Sequence, residues 1–471
     1  MKTRTTISRR DFLAAAGLTT LGAGWHCRRA PAQTKNVGTG LKAGVSSVCI
    51  TPERPIWMAG FGARKKRSEG KYQDLFVKAL ALQDNPGQRV VIITSDLVAV
   101  TDNWAAPVWQ RAKERFGLEP AEVLINCSHT HCGPVIKKSF YPEWDPQYTS
   151  ELVDKTLDSI KRALADLEEA RLERGRGSCT LSVNRRRPLP NDPKRVDAGL
   201  LPNPQGLTDH DVPVLKVSRA DGSIKAVMFL YACHPTTMGG YLLGGDYAGF
   251  AQQFVEKEIP RATALFVQGC GGDLKPRNVD ARGRFRDGPL ENVAGFGREL
   301  SQAVLTVLAG KMAATQGPIQ ARRAMVDLPA QPVPSREELE ARTKLKDYHG
   351  EWAKITLTAL RENKPLRMSL PEIVQVVTIG DDFTVVALSG EACVDYALRI
   401  KRELGRDVWI AGYSNDVSAY IPSARMIPEG GYEVERSLSG GSQPTPFQPA
   451  IEEMIIAKVH ELARARPSGR Q

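Results

Sequence analysis

The chain has 471 residues, 42% hydrophobic and 25% charged, the balance of an ordinary globular protein rather than of a disordered one. Its formal charge is +11, but Lys2, Arg4, Arg9, Arg10, Arg28 and Arg29 against Asp11 supply five of those charges near the amino terminus, leaving about +6 for the remainder. A moderate charge spread over that length is no nucleic-acid footprint, and the run Arg185-Arg186-Arg187 is too short to make one; the surplus instead suits an anionic substrate.

Residues 1–32 read as a twin-arginine signal peptide. Ser8-Arg9-Arg10-Asp11-Phe12-Leu13 precedes an apolar stretch from Ala14 to Gly24 and the cleavage pattern Ala30-Pro31-Ala32. The apolar stretch is too short to span a bilayer, and no later run is long and apolar enough to be a transmembrane helix. The mature protein is therefore expected in the periplasm or outside the cell. Cys27 leaves with the signal, and the seven remaining cysteines, odd in number and irregular in spacing, argue against a disulfide framework.

Short apolar runs then recur: Val90-Val91-Ile92-Ile93-Thr94, Val123-Leu124-Ile125-Asn126, Ala226 to Tyr231, Ala264 to Val267, Phe383 to Leu388 and Val408-Trp409-Ile410. They read as buried strands. Between them, residues 147 to 166 carry Leu152, Val153, Leu157, Ile160 and Leu164 on one helical stripe. Residues 247 to 258 repeat the pattern, with Asp246 as cap and Phe250, Phe254 and Val255 facing inward. The alternation predicts an α/β fold, a mixed sheet core flanked by helices, with the active site in loops at strand ends. No linker divides residues 34–471. A charged, helical stretch at 335–367 reads as an insertion or lid, and the tail after Arg464 as disordered.

Three histidines sit where strands run into loops. If the chain stays extended from Leu124 to His131, His129 and His131 share a face, as metal or catalytic ligands or as polar core groups. His234 follows the strand ending at Tyr231 and is either a site residue or a structural one. After Val267 comes Gln268-Gly269-Cys270-Gly271-Gly272-Asp273-Leu274-Lys275-Pro276, whose glycines suit an oxyanion loop or a tight turn equally; Cys270 reads as a small buried thiol. Glu391 opens the helix running to Leu404, where a glutamate also serves the helix dipole, and Tyr413 and Tyr420 read alone as packing residues.

In order, these elements resemble the neutral/alkaline non-lysosomal ceramidase family, whose Thr-His-Thr-His-Ser-Gly-Pro segment stands here as Ser128-His129-Thr130-His131-Cys132-Gly133-Pro134. Asn184-Arg185, Thr208-Asp209, His234-Pro235, Asp246 with Gly249-Phe250-Ala251, Gly272-Asp273, Gly390-Glu391, Asn415-Asp416 with Tyr420, and Tyr432-Glu433 follow at consistent intervals. The resemblance covers most of residues 43 to 435. It implies a zinc ion held by His129, His234, Glu391 and Tyr420, with His131, Arg185 and Tyr432 contacting the substrate and the tetrahedral centre. Gly271, Gly272, Asp273 and Lys275 form the neighbouring loop, and Lys275 stands where the family has a serine, so that either water is the nucleophile or the activity has drifted. By the same resemblance, residues 34–471 are expected to correspond to the family's catalytic domain, which in the family precedes an immunoglobulin-like domain.

The implied reaction is zinc-dependent hydrolysis of the amide of a small-molecule or lipid N-acyl substrate, ceramide-like or sphingolipid-type, by metal-activated water. The alternatives are a catalytically degenerate metal-containing binding protein, and an esterase or amidase acting on a non-lipid substrate.

Overall fold

The computed structural model describes residues 40–138, 141–440 and 444–464, so the twin-arginine segment and the tail from residue 465 lie outside the described residues. The apolar runs form the strands Arg89–Ser95, Val123–Cys127, Ile224–Tyr231, Thr263–Gln268, Phe383–Leu388 and Trp409–Ala411. Two stacked sheets result, where the sequence suggested one.

The larger sheet has nine strands. Its main path runs Thr263–Gln268, Ile224–Tyr231, Asp211–Arg219, Glu168–Ser178, Leu41–Cys49, Phe76–Asp84, Arg89–Ser95, Val123–Cys127, with Ala313–Thr315 pairing beside Glu168–Ser178. Most pairs are antiparallel, but the pair at each end of the path is parallel. The smaller sheet orders Ile319–Pro329, Ser369–Ile379, Phe383–Leu388 and Trp409–Ala411, its last pair again parallel.

Stacking explains the unbroken apolar runs. In Arg89–Ser95, Val91 and Ile93 pack with the helices Asp102–Phe116 and Pro146–Ala165, while Val90 and Ile92 pack against the small sheet. Ile224–Tyr231 does the same: Val227, Phe229 and Tyr231 meet Asp246–Glu258 and Leu290–Ala309, whereas Ala226, Met228 and Leu230 face the small sheet. A strand apolar on both faces reads as a continuous run instead of an alternation. Val394–Leu404 and Ile451–Arg464 cover the outer face of the small sheet.

The helix Pro146–Ala165 follows its sequence pattern, capped by Asp145, whose carboxylate accepts from the Tyr148 amide. The second predicted helix differs. Asp246, at φ 54°, accepts from the amides of Thr237, Met238 and Tyr247, so it organises the loop after His234 rather than capping the helix's second or third amide. Phe250 and Phe254 are only half-buried, stacked in a row with Tyr72, and Val255 alone is fully inside. The stretch at 335–367 forms the helices Arg336–Arg342 and Tyr348–Arg361, started by a Ser335–Glu338 capping box and by Asp347. Their small core of Leu339, Trp352, Ala353 and Leu357 rests on Leu438, and the Tyr348 hydroxyl donates to Glu435. No helix among the described residues is long and apolar enough to cross a membrane. The seven described cysteines are all free.

One buried acid predicts a pH signature. Glu372, on the strand Ser369–Ile379, has an unpartnered Oε1, and burial pushes its carboxyl from 4.5 up to about 8. A raised folded-state value stabilises fully below the unfolded one, and that stabilisation disappears as pH rises through 8. The melting temperature of Glu372→Gln should therefore pull ahead of the wild type between pH 5 and 9. A difference constant across that range contradicts the assignment.

Candidate metal and active site

Three parallel strand pairs end at one place. Val123–Cys127 leads to His129 and His131, Ile224–Tyr231 to His234, Thr263–Gln268 to Gly271, Phe383–Leu388 to Glu391, and Trp409–Ala411 to Tyr413 and Tyr420. Asn126 gathers them. Its Nδ2 donates to the carbonyls of Gln268 (3.3 Å) and Gly412 (2.7 Å) and to Ser414 Oγ (3.0 Å), and its Oδ1 accepts from the Gln268 amide (2.8 Å). Both end strands of the large sheet thus meet at one fully buried amide, with a loop of the small sheet beside them.

His129 and His131 converge, but not on a strand face. The strand stops at Cys127, and His129 adopts φ 63°, the left-handed region that non-glycine residues rarely occupy. The turn brings the two Nε2 atoms to 3.2 Å, with the rings near-perpendicular.

Tautomers follow from the carbonyls behind the rings. His129 Nδ1 lies 2.5 Å from the Val98 carbonyl, and His234 Nδ1 lies 2.7 Å from that of Gly271. Each Nδ1 must carry the proton to donate, so each Nε2 presents a lone pair. Those Nε2 atoms stand 3.3 and 3.1 Å from the same oxygen, Glu391 Oε2. Two lone pairs converge on a carboxylate oxygen, which favours a cation among them, and the Arg185 guanidinium already faces one of the two at 3.3 Å. The donor set therefore fits a metal ion, and the ligand atoms of His129, His131 and His234 all lie within 4.8 Å of one another. Burial, with the Arg185 charge, pushes the His234 imidazole down to about 3, which keeps that ring neutral.

Glu391 is not in a helix's first turn. It lies in the two-residue strand Glu391–Ala392, and the helix begins only at Val394. That strand pairs in parallel with Tyr420–Ile421, making Glu391 and Tyr420 direct neighbours, and the Tyr420 hydroxyl is 3.4 Å from His234 Nε2. Burial and the Glu391 charge push that hydroxyl well above the usual range.

Arg185 completes the polar wall. Its guanidinium packs 5.4 Å from the ring centroids of both Tyr420 and Tyr432, Nη1 donates towards His234 Nε2 at 3.3 Å, and Nη2 is buried without a partner. His131 differs from its two neighbours: its Nδ1 is buried with no partner, so no carbonyl fixes its tautomer. Burial and the adjacent His129 hold its pKa well down. Phe61 packs edge-on against it at 4.8 Å, and Gly60, at φ 95°, passes so close that a Cβ there would stand 2.4 Å from the His131 ring.

The glycine loop acts as a scaffold. Its Gly271 carbonyl, rather than an amide, serves His234; the Gly272 amide donates to the Ala392 carbonyl, and a Cβ on Gly272 would meet the Glu391 carbonyl at 2.5 Å. Asp273 accepts from the Val394 amide and from Asn184 Nδ2, both at 2.8 Å, and its carbonyl takes the Arg185 amide. Lys275 follows on the short strand Leu274–Pro276. Cys270 is buried, and burial pushes its thiol well up.

Two residues that the sequence names without a role in the site contribute to it. Tyr413, at φ 51°, sets its ring 4.5 Å from His129 and its hydroxyl 3.5 Å from His234 Nδ1. Glu433 binds Arg185 Nε at 2.8 Å and Arg186 Nη1 at 2.6 Å. The one available signal was its place beside Tyr432, opposite the three consecutive arginines.

Residues 42–276 match the model of the neutral/alkaline non-lysosomal ceramidase family, N-terminal region. This segment belongs to that family. Within the ceramidase-family segment lie His129, His131, Arg185, His234 and Lys275; Glu391, Tyr420 and Tyr432 lie beyond it. Among curated proteins, the neutral ceramidase of Drosophila melanogaster is 25% identical over 233 residues, 47% of this chain and 33% of the relative. That of Drosophila pseudoobscura pseudoobscura is 26% identical over 235 residues, 46% of this chain and 32% of the relative. The match thus spans about a third of their length. The fold is shared with the crystal structure of neutral ceramidase from Pseudomonas aeruginosa, at TM-score 0.71 and 21% identity over 90% of this chain and 74% of that one. A ceramidase complexed with C2 gives TM-score 0.70 and 19% identity over 91% and 77%.

Proposed function

We propose that this chain hydrolyses the amide bond of N-acylated, ceramide-like substrates, using a zinc ion held by His129, His234, Glu391 and Tyr420. The observation that carries the reading is the pair of Nε2 lone pairs, each fixed by a carbonyl behind its ring, aimed at one Glu391 oxygen. Two imidazoles, a carboxylate and a phenol oxygen suit zinc. The names of the relatives supply the substrate class. When bound, zinc supplies polarisation of the amide carbonyl and acidification of water towards a pKa of about 7.

The remaining steps belong to side chains. Arg185 Nη2, buried and unpartnered, meets the carbonyl oxygen as negative charge develops there, and Tyr432, packed on the same guanidinium, orients it. His131, whose ring no carbonyl locks, takes the proton of the attacking water and returns it to the leaving nitrogen. The products are a carboxylate and an amine.

The test is metal content of the purified protein together with hydrolysis of short- and long-chain N-acyl amides and their matched esters, before and after chelation. Stoichiometric zinc and chelator-sensitive amide turnover are expected. Full activity after chelation sinks the metal, and stoichiometric zinc with no turnover of any substrate makes this a binding protein.

A further inference from the structure

We infer that the substrate carries a carboxylate close to the scissile bond, received by Lys275. The inference rests on the amide-hydrolase reading above and changes its substrate class from an uncharged, ceramide-like amide to a carboxylated N-acyl amide. Lys275 pairs with Val183 across the short strands Leu274–Pro276 and Ser182–Asn184. It therefore stands between the loop that fixes His234 and the start of the Arg185-Arg186 pair. The neighbouring Leu274 is fully buried, with its carbonyl accepting from the His234 amide at 3.2 Å, and strand alternation turns Lys275 to the other face. There its ammonium lies 5.1 Å from the Phe285 ring centroid, half-buried.

What sets this lysine apart is the lack of an anion. The three buried lysines among the described residues all have one: Lys78 bonds Glu256 at 2.8 Å, Lys225 bonds Asp166 at 2.9 Å and Glu168, and Lys401 bonds Asp209 at 2.6 Å and Asp211 at 3.0 Å. Arg185 and Arg186 are matched by Glu433 and Glu429. Among the described residues none forms an ion pair or hydrogen bond with the Lys275 ammonium; Asp287 acts on it only through space. Burial and the Arg185 charge pull its pKa down to about 8, which leaves it charged at neutral pH. A partly desolvated charge without a paired anion is costly and persists where function uses it. One such charge, with the arginines already matched, calls for a monoanion, hence a carboxylate rather than a phosphate.

The test compares N-acylglycine, its neutral amide N-acylglycinamide, and the monoamide of a dicarboxylic acid, all of one chain length, with zinc-loaded wild type and Lys275→Met. Methionine keeps an unbranched apolar stem against Phe285 and removes the charge. The wild type should favour one of the two carboxylates over the neutral amide by about tenfold to a hundredfold in kcat/KM, as a hydrogen bond to a charged group warrants. In Lys275→Met that ratio should fall to near one, whatever happens to the absolute rates. A wild type without the preference, or a variant that keeps it, overturns the inference. If the neutral amide is hydrolysed and the preference is missing, only the inference fails. If no substrate turns over, the hydrolase reading fails, and calorimetric binding of N-acylglycine against N-acylglycinamide to both proteins then decides the role of Lys275 by the same ratio.

Discussion

His129→Ala protein should purify without stoichiometric zinc and without measurable amide turnover. The ring supplies an Nε2 lone pair whose direction is set by the Val98 carbonyl behind it, and alanine removes both ends of that arrangement. Loss of a ligand should cost more than the roughly 10- to 100-fold that loss of an outer-shell partner costs. His131→Ala provides the contrast, because its ring has a buried, unpartnered Nδ1 and is proposed as the proton carrier rather than as a ligand. It should keep its zinc and lose rate by about 100- to 10,000-fold. Metal analysis and kinetics on both variants, with circular dichroism as a check on folding, separate the roles. If His131→Ala loses the metal while His129→Ala keeps it, the assignments are exchanged.

Glu433→Ala should be among the most destabilising single changes in the chain. Glu433 is buried between two buried guanidinium groups and accepts from both, while Arg186 is further held by Glu429 at 3.0 Å and the Gly430 carbonyl at 2.9 Å. Deleting the shared carboxylate leaves positive charge buried without its partner, a change that costs about 3–5 kcal/mol. Arg185 also loses the contact that fixes its Nε, so any activity remaining should fall together with stability. Urea denaturation measures the first effect. A variant within about 1 kcal/mol of wild type, the range of an exposed ion pair, would show that water reaches this cluster.

Much of the strand skeleton was legible because burial on both faces leaves a plain signature: Val90 to Ile93 and Ala226 to Tyr231 are unbroken apolar runs. What no local pattern could reveal was that opposite faces of such runs meet different partners, a helix layer outside and a second sheet inside. The site was legible through its motifs and their order, yet the local geometry differed at both ends. His129 turns left-handed where an extended chain was expected, and Glu391 pairs beside Tyr420 instead of opening a helix. Each departure arises from contacts with distant segments, the Leu97 carbonyl taking the His129 amide and the Ala419 carbonyl taking that of Glu391. Periodicity reports neighbours in the chain and is silent about these. The anion-matching of Arg185 and Arg186 was hidden for the same reason, since Glu433 is remote in sequence.

Asn126 carries a consequence beyond the site it gathers. The end strands of a large open sheet expose unpaired backbone groups that invite pairing with another molecule. Here the two end strands, Val123–Cys127 and Thr263–Gln268, are joined to each other through one amide side chain, with Ser414 beside it. At this rim the strand-edge groups are already occupied, the Gln268 amide by Asn126 and the amides of Ile125 and Cys127 by Asn415 Oδ1 and the Tyr413 carbonyl, which leaves them no pairing to offer another molecule.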